Sequence, residues 1–309
     1  MQKQLRIVLA SVYHISEYYG GNEHYFHNLA LGLHEAGHEV TYLTAFAKSG
    51  VKTPYNLQIV PVGTVMGKPL PSWEWIHNTI GIKPDVFHAS GSGLPIMLTA
   101  GVLKHNYATP TVLTFQAPLN PDNKLMQLAG MGETFVSGRA FDAVITTGPY
   151  NQNMVQSWWP WVTVKMIPMM LAKHFADDIK LRPKDARKKL KLSEDRPTVL
   201  FAGKLDKHHY YKGVDYLLKA ATQLPKEYQI VIIGDGDMRK QYETQAKELG
   251  VDTQVTFAGF VNDETIRDYM IGSDVFVLPS TSSSEGFGLV LIEAMACNTP
   301  VVTTNVIGS

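Results

Sequence analysis

Between Val275 and Val302 the chain reads as strand, loop, helix and strand, and that order admits few architectures. The apolar run Val275-Phe276-Val277-Leu278 stops at Pro279, and Ser280 to Ser284 are small polar residues. Apolar side chains then recur with helical spacing from Gly288 to Cys297, and a β-branched run follows Pro300. Strands that alternate with helices build parallel sheets. The loop also carries chemistry, because small residues let backbone amides approach a ligand and the start of a helix favours anionic oxygens. A phosphate site is expected there. Glu285 sits just before the helix and Glu293 two turns into it, roughly over the same face. Carboxylates repel phosphate but accept hydrogen bonds from sugar hydroxyls. The plainer reading makes Glu293 a surface residue and Glu285 a partner of the helix dipole.

The run Glu285-Gly286-Phe287-Gly288-Leu289-Val290 through Glu293, followed by Ala-Met-Ala-Cys-Asn-Thr-Pro-Val-Val, resembles the carboxylate pair and donor loop of the retaining glycosyltransferases of family four. That resemblance implies the GT-B fold: an α/β chain of two Rossmann-like domains whose parallel sheets face each other across a cleft. The expected division is 1–168 for an acceptor-side domain and 169–309 for a nucleotide-sugar donor domain. Relatives continue further than Gly308-Ser309, so the second domain is expected to be incomplete at its C-terminus.

Composition narrows the functional classes. With 309 residues, 45% hydrophobic and 18% charged, the chain suits two globular domains. Basic and acidic residues balance at 28 each, so no global field draws it to nucleic acid. One cysteine, Cys297, excludes a disulfide framework and cysteine-rich zinc sites, and reads as a small buried residue. The first residues lack a signal-peptide pattern, and the uncharged stretches 86–103 and 143–164 are broken by Gly, Pro, Ser, Asn and Gln. A cytoplasmic protein is expected.

In the first half, Leu5 to Ser11 reads as a buried strand, and Gly20-Gly21 lead into a helix expected to turn Tyr25, Phe26, Leu29, Leu33 and Ala36 inward. The turn lacks Gly-x-Gly-x-x-Gly, which weighs against a dinucleotide-dependent oxidoreductase. The Gly20-Gly21 pair resembles the family's glycine loop, where amides face the diphosphate and acceptor; otherwise it is a tight turn. Further strands are expected at Leu57–Pro61, Asp85–His88, Thr111–Phe115, Phe141–Thr147 and Val162–Pro168. Ser90-Gly91-Ser92-Gly93 opens a helix at Leu94, and Gln116-Ala117 stands where the family usually has a histidine near the transferring sugar. Glutamine keeps the hydrogen bond but cannot carry the charge. The cluster Ser157-Trp158-Trp159-Pro160-Trp161 reads first as packing, with a membrane interface or an acceptor as the alternative.

In the second half, Gly203-Lys204 after the strand Thr198–Ala202, together with Lys212-Gly213, resemble the family's diphosphate grip. Lys204 replaces a frequent arginine and loses its bidentate fork. Between them, Asp206-Lys207-His208-His209-Tyr210-Tyr211 is longer than the commonest family spacing and reads as a loop rather than a metal site. Gly234-Asp235-Gly236-Asp237 imitates both a dinucleotide and a metal motif, and reads as neither. Phe260-Val261 corresponds to the family's nucleobase side, Asn262 is a helix cap, and Asn298 suits a left-handed position.

The resemblance therefore implies a hexosyltransferase-like enzyme that uses a nucleoside-diphosphate sugar with neither metal nor further cofactor. Its catalytic set is Glu285, Lys204, Lys212 and Gln116. Its donor-binding set is Gly20, Gly21, Gly203, Phe260, Val261, Gly286, Phe287, Gly288, Leu289, Val290 and Glu293. The acceptor is a saccharide, a lipid-linked or a small molecule, and a lipid-linked one implies peripheral contact with the inner face of the membrane. The alternatives are a nucleotide-sugar epimerase of similar fold and an inactive donor-binding protein.

Overall fold

The computed structural model describes residues 3–18, 20–65, 68–70, 72–91, 94–116, 138–282 and 285–306. Ser92-Gly93, Ala117, Ser283-Ser284 and Gly308-Ser309, all read from the sequence above, lie outside the described residues. The chain divides into two compact units, Met1–Met170 and Leu171–Ser309.

In the first unit, the described strands are β1 (Arg6–Tyr13), β2 (Glu39–Phe46), β3 (Asn56–Ile59), the short antiparallel pair β4 (Thr64–Val65) and β5 (Lys68–Pro69), β6 (Val86–Ser90), β7 (Thr111–Phe115), β8 (Ala143–Thr146) and β9 (Thr163–Met166). All but β4 and β5 join one parallel sheet in the order β3-β2-β1-β6-β7-β8-β9. Helices Gly21–Glu35, Trp73–Ile82, Leu94–Tyr107 and Pro149–Trp158 connect them. Val8, Leu9 and Ala10 of β1 are shut off from water, as a strand covered on both faces requires. The helix Gly21–Glu35 departs from the expected face. Tyr25 and Phe26 are buried, but Leu29 and Leu33 are half-buried and Ala36 is an exposed C-cap. Glu23 and Ala30 take inner positions instead, because the buried stripe runs through 23, 26 and 30 and ends a turn earlier.

The second unit opens with the short helices Lys173–Ala176 and Pro183–Lys189. Its parallel sheet has the order β12-β11-β10-β13-β14, with β10 (Thr198–Ala202), β11 (Gln229–Ile233), β12 (Val255–Gly259), β13 (Val275–Leu278) and β14 (Val301–Thr303). Helices Val214–Ala221, Arg239–Glu248, Asp263–Gly272 and Leu289–Ala296 pack on it. Leu200, Phe201, Ile230, Ile232, Phe276 and Leu278 form its core at 0% exposure. Each such side chain contributes about 1.5–3 kcal/mol of burial.

In both units the strand order reverses beside the first strand. Successive strands step outward from β10 through β11 to β12, and the chain then returns to β13 on the other side of β10. The loops after β10 and β13 therefore leave the sheet at its switch point, at the carboxyl ends of neighbouring strands, the place where ligands of such sheets bind. In the first unit the corresponding place lies between β1 and β6.

Candidate functional site

The loops at the β10–β13 switch are fastened to each other. After β10 come Gly203 and Lys204, then a 3-10 turn over Lys207–Lys212. Asp206 caps that turn, its Oδ1 accepting from the amides of His208 at 2.9 Å and His209 at 3.0 Å. Gly213 ends it at φ 75°, a left-handed position, and lies so close to the chain after β13 that a Cβ there would run into the Pro279 carbonyl oxygen. The Thr281 amide donates to the Tyr211 carbonyl at 2.7 Å. The Lys212 side chain then crosses Gly203, where an added Cβ would lie 2.9 Å from Lys212 Cδ.

This scaffold brings Lys212 to Glu285. The Lys212 Nζ donates to Glu285 Oε2 at 2.8 Å, and Ser280 Oγ donates to the same oxygen at 3.0 Å. Ser280 is fully buried, and the two charged side chains are 14% and 9% exposed. Removing charges this far from water costs several kcal/mol, which only close pairing and added hydrogen bonds offset. The sequence assigns the diphosphate to Lys212 and sugar hydroxyls to Glu285; in the structure the two form one pair. Ser280 was missed, although a hydroxyl at the mouth of a buried strand beside a carboxylate was the available signal.

Gly288 is left-handed (φ 65°, ψ 46°) and buried, and starts the helix Leu289–Ala296 with no side chain capping it. A glycine at the cap offers the first amides of that helix no side-chain acceptor of its own, and such a helix start favours an anion. Gly286 and Phe287 are half-buried between Glu285 and this helix start.

Glu293 does not share Glu285's partners. It is half-buried and its carboxyl makes no hydrogen bond to another described residue; burial, and then the charge of Asp263, push that carboxyl up to about 8. Burial also raises Asp263, to about 6. Asp263 stands in the first turn of the helix capped by Asn262, whose side chain accepts from the Thr265 amide at 2.9 Å. Phe260 is 63% exposed and Val261 half-buried at the carboxyl end of β12.

His209 is more than a loop residue. Its Nδ1 lies 2.7 Å from Asp206 Oδ1, a carboxylate partner that the sequence reading did not give the histidine pair. Lys212 and Lys204 both act on its charge. Among the described residues no three His, Cys, Asp or Glu side chains gather as a metal site would require. Asp235 and Asp237 serve their turn, accepting from the amides of Gly236 at 2.8 Å and Lys207 at 3.0 Å. Cys297 is buried, and burial pushes its thiol up to about 11, which makes it inert at neutral pH.

Gly20, Gly21 and Gln116 belong to the first unit. Gly20 caps the helix Gly21–Glu35 without a side-chain bond, and Ser90 Oγ donates to Asn22 Oδ1 across the β1–β6 switch. Gln116 follows β7; its backbone carbonyl accepts from Asn151 Nδ2 at 2.9 Å, while its own Nε2 and Asn151 Oδ1 are buried without a hydrogen-bond partner among the described residues. The tryptophan cluster splits: Trp159 is core, whereas Trp158 is 40% and Trp161 56% exposed, with the Arg139 guanidinium 5.3 Å from the Trp161 ring centre. Among the described residues no helix is long and apolar enough to cross a membrane.

Comparison with known proteins gives two family matches. Residues 19–169 match the family described as Glycosyltransferase Family 4, and residues 183–309 match Glycosyl transferases group 1. A glycosyltransferase of Methanocaldococcus jannaschii is 40% identical over 124 residues, which is 40% of this chain and 30% of that protein. The chain thus matches less than a third of that relative's length. Sucrose-phosphate synthase from Thermosynechococcus elongatus superposes with a TM-score of 0.80 at 22% identity, over 98% of this chain and 82% of that one. The Anabaena protein HepE, solved with UDP and glucose, gives 0.79 at 18% identity, over 99% and 82%. At these identities the superpositions speak for the fold, which is GT-B.

Proposed function

We propose that this chain, which belongs to the family-four, group 1 glycosyltransferases, moves a sugar from a nucleoside-diphosphate sugar to an acceptor hydroxyl and keeps the anomeric configuration. The observation that carries this reading is the Lys212–Glu285 pair at the β10–β13 switch, just ahead of a helix whose cap residue is the glycine Gly288. Lys204, Lys212 and the amides of Gly288, Leu289 and Val290 stabilise the diphosphate as it leaves. Glu285 accepts from the sugar hydroxyls, Glu293 from the ribose, and Phe260 with Val261 flanks the base. Gly203, Gly286 and Phe287 shape the approach. In the first unit, Gly20 and Gly21 serve the donor's diphosphate and the acceptor, and the Gln116 side chain serves the transferring sugar.

The acceptor oxygen bonds to the anomeric carbon on the face from which the diphosphate departs, and a diphosphate oxygen takes the acceptor's proton. Charge grows on the leaving group, so fixed cations and dipoles supply the main stabilisation. Side-chain cations already present make a metal ion unnecessary in this scheme, and no cofactor beyond the donor enters it. The enzyme is read as cytoplasmic, with Trp158 and Trp161 meeting the inner membrane face where the acceptor is lipid-linked.

Product analysis tests the reading. Incubation with UDP-, GDP- and ADP-sugars and mixed acceptors should yield a glycoside with retained configuration. An epimerised sugar from donor alone would favour the epimerase, and binding without turnover an inactive donor-binding protein. The relatives named above do not include an epimerase.

A further inference from the structure

The neutral form of His209 is oriented in advance. Its Nδ1 faces Asp206 Oδ1 at 2.7 Å, and the same carboxylate oxygen also takes the backbone amides of His208 and His209. Nδ1 therefore carries the hydrogen, because an ionised carboxylate can only accept. The lone pair of a neutral ring is then left on Nε2, which makes no hydrogen bond to any described residue. Lys212 ends the same 3-10 turn, and both Lys212 and Lys204 repel positive charge on the ring. The Tyr211 ring lies 5.9 Å away.

We propose that His209 is a third cationic ligand of the donor's diphosphate, and that it becomes cationic by taking up one proton as the diphosphate binds. The inference rests on the nucleotide-sugar reading above and goes beyond it in naming the residue and the proton. A phosphate oxygen can accept but not donate, so against neutral His209 it would meet a lone pair. With Nε2 protonated, it meets a charge-assisted donor. The groups around the ring fit such a change. Asp206 favours the imidazolium; burial, Lys212 and Lys204 oppose it and hold the free protein's His209 below the ordinary histidine range. The Lys212 charge is partly met by Glu285, Asp237 accepts from the Lys207 amide, and the Tyr242 hydroxyl feels Asp206 from the neighbouring helix. A bound diphosphate reverses the balance by placing negative charge among the three cations.

The test is calorimetry in buffers of different ionisation enthalpy, with whichever of UDP-, GDP- or ADP-glucose binds. These are phosphodiesters, so they do not themselves titrate near neutrality. Wild type should take up between about half and one proton at about pH 7 more than His209→Gln does, and its affinity should fall by up to about tenfold per pH unit above the free histidine's range. Protons exchanged at Glu293 cancel in that difference. Asp206→Asn, which keeps a capping oxygen but loses the charge, should move the uptake to lower pH with His209 intact. Equal proton uptake in wild type and His209→Gln, with both binding, overturns this inference and leaves the donor reading in place. Failure of all three nucleotide sugars to bind wild type overturns the donor reading, and this inference with it.

Discussion

Lys212 and Glu285 lie 73 positions apart and meet at 2.8 Å, in a pair that shares Ser280 as a second donor to one carboxylate oxygen. Neither charge is well placed without the other. Removing one partner should leave a buried, uncompensated charge and destabilise by about 3–5 kcal/mol, whereas replacing both with apolar residues of similar volume should restore much of that. Chemical denaturation of Glu285→Leu, Lys212→Met and the double variant measures this. Near-additive losses would show that the pair is not coupled.

Activity should separate from stability at the same pair. The double variant, however well folded, loses the cation for the leaving group and the acceptor for the sugar. Turnover should drop by roughly two or more orders of magnitude, the scale of losing a transition-state electrostatic contact. Steady-state kinetics on the folded double variant decides it, and near-wild-type kcat would remove both residues from the chemistry.

Glu293 gives a pH prediction. Its folded pKa, about 8, lies above the unfolded value of 4.5, so the unfolded chain releases this proton at lower pH than the folded one. The neutral carboxyl's contribution is complete below the unfolded value and is lost as pH rises through the folded one; Asp263 adds a smaller loss from 3.8 to about 6. Glu293→Gln should therefore match wild-type Tm at the acid end and exceed it at about pH 8. A constant Tm difference across the range would contradict the assignment.

Gln116 Nε2 is buried without a partner among the described residues, and the resemblance puts Gln116 where the family usually has histidine. Gln116→Glu replaces a donor with an acceptor and should lower kcat by tenfold or more, on the scale of lost acid–base or hydrogen-bond assistance, whereas Gln116→His should keep or raise it. Similar kcat in both variants would place Gln116 outside the transfer step.

Much of this was legible in the sequence because local rules and tertiary structure agreed. The strands at 198–202, 229–233 and 275–278 carry the apolar runs Val199–Ala202, Ile230–Ile233 and Val275–Leu278, the signature of buried parallel strands. Asn262 and Asn298 took the expected cap and left-handed positions, the latter at φ 59°. The contacts within the site were less legible. That Lys212 and Glu285 pair depends on Gly213 lying against Pro279, a contact between loops that no periodicity encodes. Asp206 was invisible as a histidine partner because its first task is capping, and three residues of a 3-10 turn were needed to bring the ring back over it. The helix at 21–35 misled for a different reason: a buried Glu23 occupies a position that hydrophobic patterning gives to an apolar residue.

On the proposed reading, the β10–β13 switch holds the diphosphate of a nucleotide sugar. Thermal stabilisation of wild type and Lys212→Ala by UDP-, GDP- and ADP-sugars measures it most directly. At about a hundred times the dissociation constant, one of them should stabilise wild type by about 2.7 kcal/mol and Lys212→Ala by far less. An undiminished shift in Lys212→Ala, or no shift in wild type with any of them, would contradict the account.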